Sequence, residues 1–258
     1  MHQLNSTKDC NCTHADIRLL SWNVDGLISK LSDSEFINYL SRFNFVCLTE
    51  TFVEYFDATS HFPDYNCYVS PARKLSYQGR RSGGVICLVD QKLSKYFCRI
   101  DVPFDNIVAL KCSKLLIQEQ RDVIFVCVYV PPQDSPYYDD ASDDIAILEN
   151  CLIDLSTTFS DCLLILCGDF NSRTSDVTMN SEANIHDMLS NVFGSSRKSQ
   201  DSKVSDFGKM LLSLSLSFNL TILNGLIAGD ERGKFTYISP HGNSVIDYFT
   251  VSTELLTL

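Results

Sequence analysis

The chain has 258 residues, of which 45% are hydrophobic and 21% are charged. This composition supplies one large core and excludes a disordered polar chain, and the length favours a single domain. The 32 acidic residues against 21 basic ones give a net charge of −11. That charge disfavours a protein that coats DNA non-specifically, because neutralising phosphates requires a basic surface.

The N-terminal stretch, residues 1–16, is polar and contains no charged segment followed by an apolar one. A secretory signal is therefore not expected, and we predict a disordered leader over 1–16 ahead of a folded domain over 17–258. Cys10, Cys12 and His14 lack the second pair of ligands that would indicate a metal site. No apolar run approaches the roughly 20 residues of a membrane helix, so we expect an intracellular protein, cytoplasmic or nuclear.

In chain order, short runs rich in β-branched and aromatic residues alternate with a few amphipathic ones. Strands are expected over 17–22, 45–49, 85–89, 107–112, 123–130, 163–167, 220–223, 235–238 and 245–251, and helices over 34–43, 145–158 and 206–218. Most of the 11 cysteines fall inside the strand-like runs, which favours reduced thiols in the core. Many strands and few helices fit two packed sheets flanked by helices. The Ser-, Asn- and Asp-rich segment 172–205 is expected to be a surface excursion.

Several predicted strands end in a polar side chain. The residues concerned are Asn23, Glu50, Tyr129, Asp169, Asn171 and Asp247. Taken singly, each is as well explained by a turn or a solvated strand end. Together they indicate the wall of a polar pocket, because a carboxylate buried without partners is costly. Mg²⁺ binds oxygen ligands, and a second carboxylate can deprotonate water, so the set favours metal-dependent hydrolysis of a phosphodiester.

Eight ordered segments resemble the endonuclease/exonuclease/phosphatase superfamily, which includes apurinic endonucleases and pancreatic deoxyribonuclease. The segments are S-W-N-V-D-G (21–26), L-T-E-T (48–51), S-G-G-V (82–85), Y-V-P-P (129–132), C-G-D-F-N-S-R (167–173), I-L-N-G (222–225), F-T-Y (235–237) and S-V-I-D-Y (244–248). Within the superfamily, L-T-E-T-F, Y-V-P-P and G-D-F-N-S-R-T are most similar to the endonuclease domain of non-LTR retrotransposons. The resemblance implies an α/β fold, a four-layer sandwich of two mixed β-sheets flanked by helices as in DNase I.

The resemblance also implies roles for the matched residues. Glu50 would hold the metal, Mg²⁺ with Mn²⁺ as an alternative, with help from Asn23. Asp169 would orient or activate the attacking water. Asn171 and Tyr129 would bind the phosphate and the charge that develops on it.

Towards the C-terminus the resemblance is less complete. Thr236 matches a supporting polar position of the retrotransposon branch, and Asp247 matches the acid that orients a catalytic histidine. The family's final Ser-Asp-His motif has no match after Asp247, so we expect a truncated chain that lacks the last strand of the fold. Of the five histidines none is an expected substitute, and His241 lies in a turn between two strands. Pro132 replaces an Asn of apurinic endonucleases, which disfavours abasic-site repair.

The charge of individual segments differs from the net charge of the chain. Segment 70–82 carries Arg73, Lys74, Arg80 and Arg81 and no acid, which favours contact with a DNA backbone, with a solvated loop as the alternative. Segment 133–150 carries six acids and no base and is expected to face away from DNA.

The leading hypothesis is a Mg²⁺-dependent DNA-nicking endonuclease domain of retrotransposon origin, with doubtful activity in the truncated chain. In relatives the nick primes reverse transcription, so the partners would be DNA and a downstream reverse transcriptase domain. One alternative is a phosphatase or phosphodiesterase of small or lipid phosphates. The other is a catalytically inactive remnant that binds DNA or protein.

Overall fold

The structure is a computed structural model that describes residues 17–75, 77, 79–117, 120–136, 144–177 and 196–256. The predicted leader 1–16, residues 137–143 of the acidic segment and the centre of 172–205 lie outside the described residues. The predictions made for those stretches stay predictions.

Strands outnumber helices along the described parts of the chain. The strands are β1 (Leu19–Asn23), β2 (Phe45–Thr49), β3 (Tyr65–Ser70), β4 (Arg73–Lys74), β5 (Arg81–Ser82), β6 (Val85–Asp90), β7 (Phe97–Ile100), β8 (Ile107–Cys112), β9 (Val123–Tyr129), β10 (Leu163–Asp169), β11 (Leu220–Ile222), β12 (Tyr237–Ser239), β13 (Gly242–Ser244) and β14 (Asp247–Ser252). The α-helices are α1 (Ser34–Leu40), α2 (Lys114–Ile117), α3 (Asp144–Thr158) and α4 (Asp206–Ser217). Short 3₁₀ turns occur at Ile28–Lys30, Ala58–Ser60, Ser94–Tyr96 and Thr253–Leu256.

Two sheets form the body of the fold. The first has the strand order β1-β2-β6-β3 and the second β11-β14-β10-β9-β8-β7. Each sheet is mixed, because β1 with β2 and β9 with β10 are parallel whereas the other pairs are antiparallel. Two small hairpins, β4–β5 and β12–β13, stand apart from the sheets. The predicted architecture of two mixed sheets is confirmed. In the first sheet β1 lies at an edge. The predicted absence of the last strand of the fold stays a prediction.

The alternation of side chains along the strands divides the core into three apolar layers. On β2, Phe45 and Cys47 face the second sheet, whereas Val46 and Leu48 pack against α1 on the outer side. On the second sheet, side chains of β9 and β10 alternate between the inter-sheet layer and a layer covered by α3 and α4. Because both faces of each sheet are covered, the central strands are apolar throughout. The result is the expected four-layer order of helix, sheet, sheet and helices.

Capping side chains fix where two of the covering helices begin. Asp33 accepts hydrogen bonds from the backbone N–H groups of Glu35 and Phe36 at the start of α1. Ser205 accepts one from the N–H of Gly208 at the start of α4. These bonds satisfy donors that have no partner inside a helix and so favour initiation at these points.

One structural prediction holds only in part. The described ends of segment 172–205 include exposed residues such as 202–204, but Thr174, Arg197 and Asp201 are buried. Arg197 donates to the hydroxyl of Thr174 at 2.9 Å and to the carbonyl of Asn224 at 3.1 Å. A polar composition typical of a loop is tolerated in the interior here because the polar groups bond to one another. Among the described helices, none is long and apolar enough to cross a membrane.

Candidate active site

A cleft of about 480 Å³ opens where four strands of the two sheets begin or end. Asn23 ends β1, Glu50 follows β2, Asp169 ends β10 and Asp247 begins β14, and all four line the cleft. Asp169 and Asp247 are directly paired across their antiparallel strands. The topology therefore brings polar strand ends that are far apart in the sequence together in one wall of the cleft.

Asp169 lies at the centre of this wall and is 2% exposed. Its Oδ2 accepts a hydrogen bond from the side-chain amide of Asn23 at 2.8 Å, and its Oδ1 accepts one from the backbone N–H of Asn171 at 2.9 Å. Burial raises the pKa of Asp169 well above its usual range, and the negative charge of Asp247 raises it further. The two amide bonds only partly offset this, so the carboxylate has an unusually high proton affinity.

Glu50 is held by an aromatic hydroxyl and by a strained backbone. The hydroxyl of the buried Tyr129 donates to its Oε1 at 2.5 Å. Its φ of +50° lies in the left-handed region, as does that of Asn171 at +45°. Non-glycine residues in this region cost about 1 kcal/mol or more, and such strain concentrates at functional sites. The left-handed geometry turns the chain just after β2 and β10, and at Glu50 it keeps the side chain at the cleft.

Asp247 is supported from a neighbouring loop by Thr236. The Thr236 hydroxyl oxygen accepts hydrogen bonds from the backbone N–H groups of Ile246 at 3.0 Å and Asp247 at 3.1 Å. The buried Oδ1 of Asp247 has no hydrogen-bond partner among the described residues. Burial raises the pKa of Asp247 to about 6, and the charge of Glu50 contributes in the same direction.

The donor set fits a hard divalent cation. Three carboxylates and an amide oxygen border one cleft, and a buried carboxylate oxygen there lacks a partner among the described residues. Oxygen donors of this kind are what Mg²⁺ and Mn²⁺ prefer. Positive charge would relieve the repulsion that raises the pKa of both aspartates.

The structure brings together all seven residues predicted for the chemistry. Asn23, Glu50, Asp169, Thr236 and Asp247 line the cleft, while Tyr129 and Asn171 contact its carboxylates. Sequence reasoning gave no role to Asn224, although it lies in the quoted I-L-N-G segment. Its amide donates to the carbonyl of Asp247 at 3.0 Å and its Oδ1 accepts from the N–H of Phe249 at 3.1 Å, so it fixes the start of β14.

The four basic residues lie on and beside the β4–β5 hairpin, where acids from other segments meet them. Arg73 pairs with Asp105 and Arg81 with Glu54. The guanidinium of Arg80 stacks 4.5 Å from the ring centre of Phe52 and lies 3.7 Å from Oδ1 of Asp25, a residue of the cleft. Lys74 lies over the ring of Tyr77. Three of the four cations are thus partly neutralised within the molecule.

His61 and His241, the histidines in the described part of the chain, do not line the cleft. His241 is exposed in the turn of the β12–β13 hairpin, and His61 stacks on Phe56. Neither substitutes for a histidine beside Asp247, as the sequence indicated.

Comparison with known proteins identifies the family of the chain. The Endonuclease/Exonuclease/phosphatase family matches residues 20–258. The chain belongs to this family. No curated protein sequence shows a significant match to the chain.

Several solved structures share the fold of this chain. The AP endonuclease LMAP from Leishmania major has 14% identity and a TM-score of 0.65, with 93% of this chain and 80% of that one covered. A 3′ phosphatase from Neisseria, bound to a product DNA hairpin, has 19% identity and a TM-score of 0.59 over 94% and 89%. The endonuclease domain of TRAS1, a telomere-specific non-LTR retrotransposon, has 16% identity and a TM-score of 0.55 over 94% and 88%. These likenesses establish a DNase I-like α/β fold for this endonuclease/exonuclease/phosphatase family member.

Proposed function

We propose that this protein is a Mg²⁺-dependent endonuclease domain of retrotransposon origin that nicks DNA. The observation that carries the proposal is the convergence of Glu50, Asp169 and Asp247 on one cleft lined by oxygen donors. Such a set suits the hydrolysis of phosphodiesters, which is the general chemistry of the family.

DNA as substrate and a retrotransposon origin rest on two independent supports. The L-T-E-T-F, Y-V-P-P and G-D-F-N-S-R-T segments resemble those of the retrotransposon branch, and the TRAS1 endonuclease domain has the same fold. Several structural neighbours process nucleic acids, and one was solved with a DNA product. A downstream reverse transcriptase domain and an intracellular location, cytoplasmic or nuclear, belong to the same proposal.

The family depends on a divalent metal, and Glu50 with Asn23 would hold Mg²⁺ or, in its place, Mn²⁺. When bound, the cation supplies positive charge that polarises the phosphate and stabilises the charge of the transition state. Glu50 is suited to this role because its Tyr129 bond and its left-handed backbone fix the carboxylate before any ligand arrives.

Asp169 would position the attacking water and accept its proton. A carboxylate of raised pKa is a stronger base than an exposed aspartate, and proton transfer is most efficient when that pKa approaches the working pH. The Asn23 amide fixes one carboxylate oxygen, which leaves the direction of the proton transfer well defined.

Asn171 would donate to the phosphate oxygens, and Tyr129 would do so by turning its single O–H from Glu50 to the phosphate once a cation neutralises Glu50. The Asn171 amide uses one N–H for the carbonyl of Val130 at 2.8 Å, and an amide nitrogen carries a second. Asp247, steadied by Thr236 and Asn224, would be the acid that orients a catalytic histidine. Since no histidine of the described residues lines the cleft, the leaving oxygen would take its proton from water. The basic hairpin, with Arg73, Lys74, Arg80 and Arg81, would contact the DNA backbone beside the cleft.

The test compares two substrates with the full chain. We expect the protein to convert supercoiled plasmid to open circles with Mg²⁺ but not with EDTA. Intact and abasic DNA duplexes should be nicked at equal rates. Inositol phosphates should release no phosphate. Glu50→Gln should abolish most nicking, whereas Asp154→Asn, which alters an exposed carboxylate on α3, should not. Faster release from inositol phosphates would favour the phosphatase alternative. Mg²⁺ binding without turnover of either substrate would favour the inactive remnant.

A further inference from the structure

Four cysteines from four strands meet between the two sheets. Cys47 on β2 and Cys87 on β6 are direct partners in the register of the first sheet. Cys127 on β9 and Cys167 on β10 are direct partners in the second. All four side chains are buried in the same inter-sheet layer, where each sheet presents its pair to the other. Because the two cysteine pairs face each other between the sheets, the four thiols form one cluster.

The sulfur positions resemble those of a metal–thiolate site. The Sγ atoms of Cys47, Cys127 and Cys167 all lie within 4.8 Å of one another, and those of Cys127 and Cys167 are 3.8 Å apart. A tetrahedral zinc ion with Zn–S bonds of about 2.3 Å separates its sulfurs by about 3.8 Å. One edge therefore already has the required length, and the others need to shorten by at most about 1 Å. Cys87 is the direct strand partner of Cys47 in the same buried layer and offers a fourth sulfur.

We propose that Cys47, Cys127 and Cys167, with Cys87 as the fourth ligand, form a structural site for Zn²⁺ that ties the two sheets together. The site is separate from the cleft in chemistry, because soft sulfur ligands select Zn²⁺ whereas the oxygen donors of the cleft select Mg²⁺ or Mn²⁺. It is also independent of the proposed nuclease function.

Two features distinguish this cluster from ordinary core cysteines. Cys112 and Cys151 are equally buried, yet among the described cysteines it is Cys47, Cys127 and Cys167 whose sulfurs all lie within 4.8 Å of one another. A disulfide does not account for it, since 3.8 Å far exceeds an S–S bond of about 2.05 Å.

The binding step exchanges protons for the metal. Without metal, burial in the apolar layer favours the neutral thiol over the charged thiolate. Zn²⁺ entry releases one proton for every thiol that becomes a thiolate, and no electrons are transferred. Because the sulfurs are shielded from solvent, we expect the metal to enter during folding, so binding adds to folding stability.

The experiment uses Co²⁺ as a spectroscopic probe in the full chain. Protein expressed with Co²⁺ in place of Zn²⁺ should retain one Co²⁺ per chain after dialysis against EDTA, with the thiolate charge-transfer band and the intense visible bands of a tetrahedral cobalt–sulfur site. Glu50→Gln should keep these bands, which separates the cluster from the cleft and makes the result independent of nuclease activity. Cys127→Ala and Cys167→Ala should lose them.

Matched control variants show whether the bands are lost because a metal ligand is removed or because the protein unfolds. Cys112→Ala and Cys151→Ala remove the same atoms from buried positions outside the cluster and should keep both bands. Zn²⁺ should raise the melting temperature of the wild type and of both control variants, but not that of Cys127→Ala. Absence of thiolate bands in the wild type, their persistence in Cys127→Ala and Cys167→Ala, or equal loss in the controls would overturn the proposal.

Discussion

Asp169 and Asp201 are both 2% exposed, yet their surroundings are opposite. Arg173 donates to both oxygens of Asp201, from Nε at 2.8 Å and from Nη2 at 2.6 Å, and the backbone N–H groups of Lys203 and Val245 add two more bonds. Burial pushes the pKa of Asp201 up, but these donors outweigh it, and the net shift is downward. Asp201 is thus a compensated charge that joins segment 196–205 to the strands.

Asp169 is surrounded by amides and by other acids. Its hydrogen bonds come from two amides, and the charged groups that raise its pKa are Asp247 and Glu50. Two aspartates of equal burial therefore differ in whether the fold compensates their charge. A compensated carboxylate stabilises the fold, whereas an uncompensated one at a cleft is poised to interact with a proton, a cation or a substrate. The following predictions test that distinction.

The largest expected effect is on catalysis. Asp169→Asn should lower plasmid nicking by about 10²- to 10⁴-fold, the usual contribution of a general base, and Glu50→Gln should do the same through the metal. Asp169→Asn should lower the free energy of unfolding less than Asp201→Asn does, because it removes a charge that the fold leaves uncompensated. Rates from single-turnover nicking at fixed Mg²⁺, with urea unfolding of the same samples, provide the measurement.

Asp201→Asn is the matched control, since it makes the same chemical change at equal burial. It should destabilise the protein while leaving the nicking rate per folded molecule within a few-fold of the wild type. Full nicking by Asp169→Asn, or loss of catalysis in well-folded Asp201→Asn, would refute the distinction between the two aspartates.

The second effect is on stability. Arg173→Met should lower the free energy of unfolding by about 3–5 kcal/mol, because it leaves Asp201 buried without its cation. Arg121→Met breaks an ion pair with Glu254 at the surface and should cost less than about 1 kcal/mol. Urea unfolding of both variants measures the difference. Equal costs would mean that the bonds to Asp201 carry no more free energy than a surface pair.

The third effect is on the pH dependence of stability. Asp247 has a pKa of about 6 in the folded state against an ordinary 3.8, so the folded protein binds this proton more tightly than the unfolded chain. Its stabilising contribution is complete below pH 3.8 and is lost as the pH rises through about 6, a change of about 3 kcal/mol. Asp201, with a lowered pKa, contributes oppositely: its stabilisation is present above pH 3.8 and is lost as the pH falls.

Urea unfolding between about pH 2 and pH 7 in EDTA measures both contributions, that of Asp247 in the upper part of the range and that of Asp201 below about pH 4. Asp247→Asn should gain stability relative to the wild type as the pH rises, and Asp201→Asn should lose it. Parallel stability curves for the wild type and Asp247→Asn would show that burial does not perturb this carboxyl group.

The sequence predicted the strands and the cleft because both depend on local pattern. Apolar runs such as 123–130 indicate buried strands whatever surrounds them. A polar side chain at the end of such a run can be recognised from the sequence alone. The edge strands β3 and β7 were missed, since Tyr65–Ser70 and Phe97–Ile100 mix polar with apolar residues and receive their hydrogen bonds from one side only.

Long-range charge compensation was invisible for a different reason. The partners of Arg73 and Arg81 are Asp105 and Glu54, which no spacing rule connects to the basic segment. The burial of Asp201 likewise depends on Arg173, which only the folded chain brings to it. Sequence pattern thus locates charges, while tertiary packing decides which of them are compensated.

The smallest effect concerns DNA binding, where the same distinction applies to cations. Each phosphate neutralised on duplex DNA contributes roughly −0.9 to the slope of log K against log salt, so Arg73, Lys74, Arg80 and Arg81 together contribute at most about −3.6. Arg73 and Arg81 are already paired with acids and must give up that interaction to bind a phosphate. The slope should therefore be shallower than this limit.

Replacing all four with Ser should remove most of the slope, measured by fluorescence anisotropy on duplex DNA with EDTA. Among single variants, Lys74→Ser should lower the slope more than Arg81→Ser, because Arg81 has its charge partly neutralised by Glu54 before DNA arrives. Lys209→Ser, on the exposed side of α4, is the control and should leave the slope unchanged. If the fourfold variant keeps the wild-type slope, the DNA-binding face lies elsewhere. If Arg81→Ser has the larger effect, pairing with Glu54 positions the guanidinium for phosphate instead of competing with it.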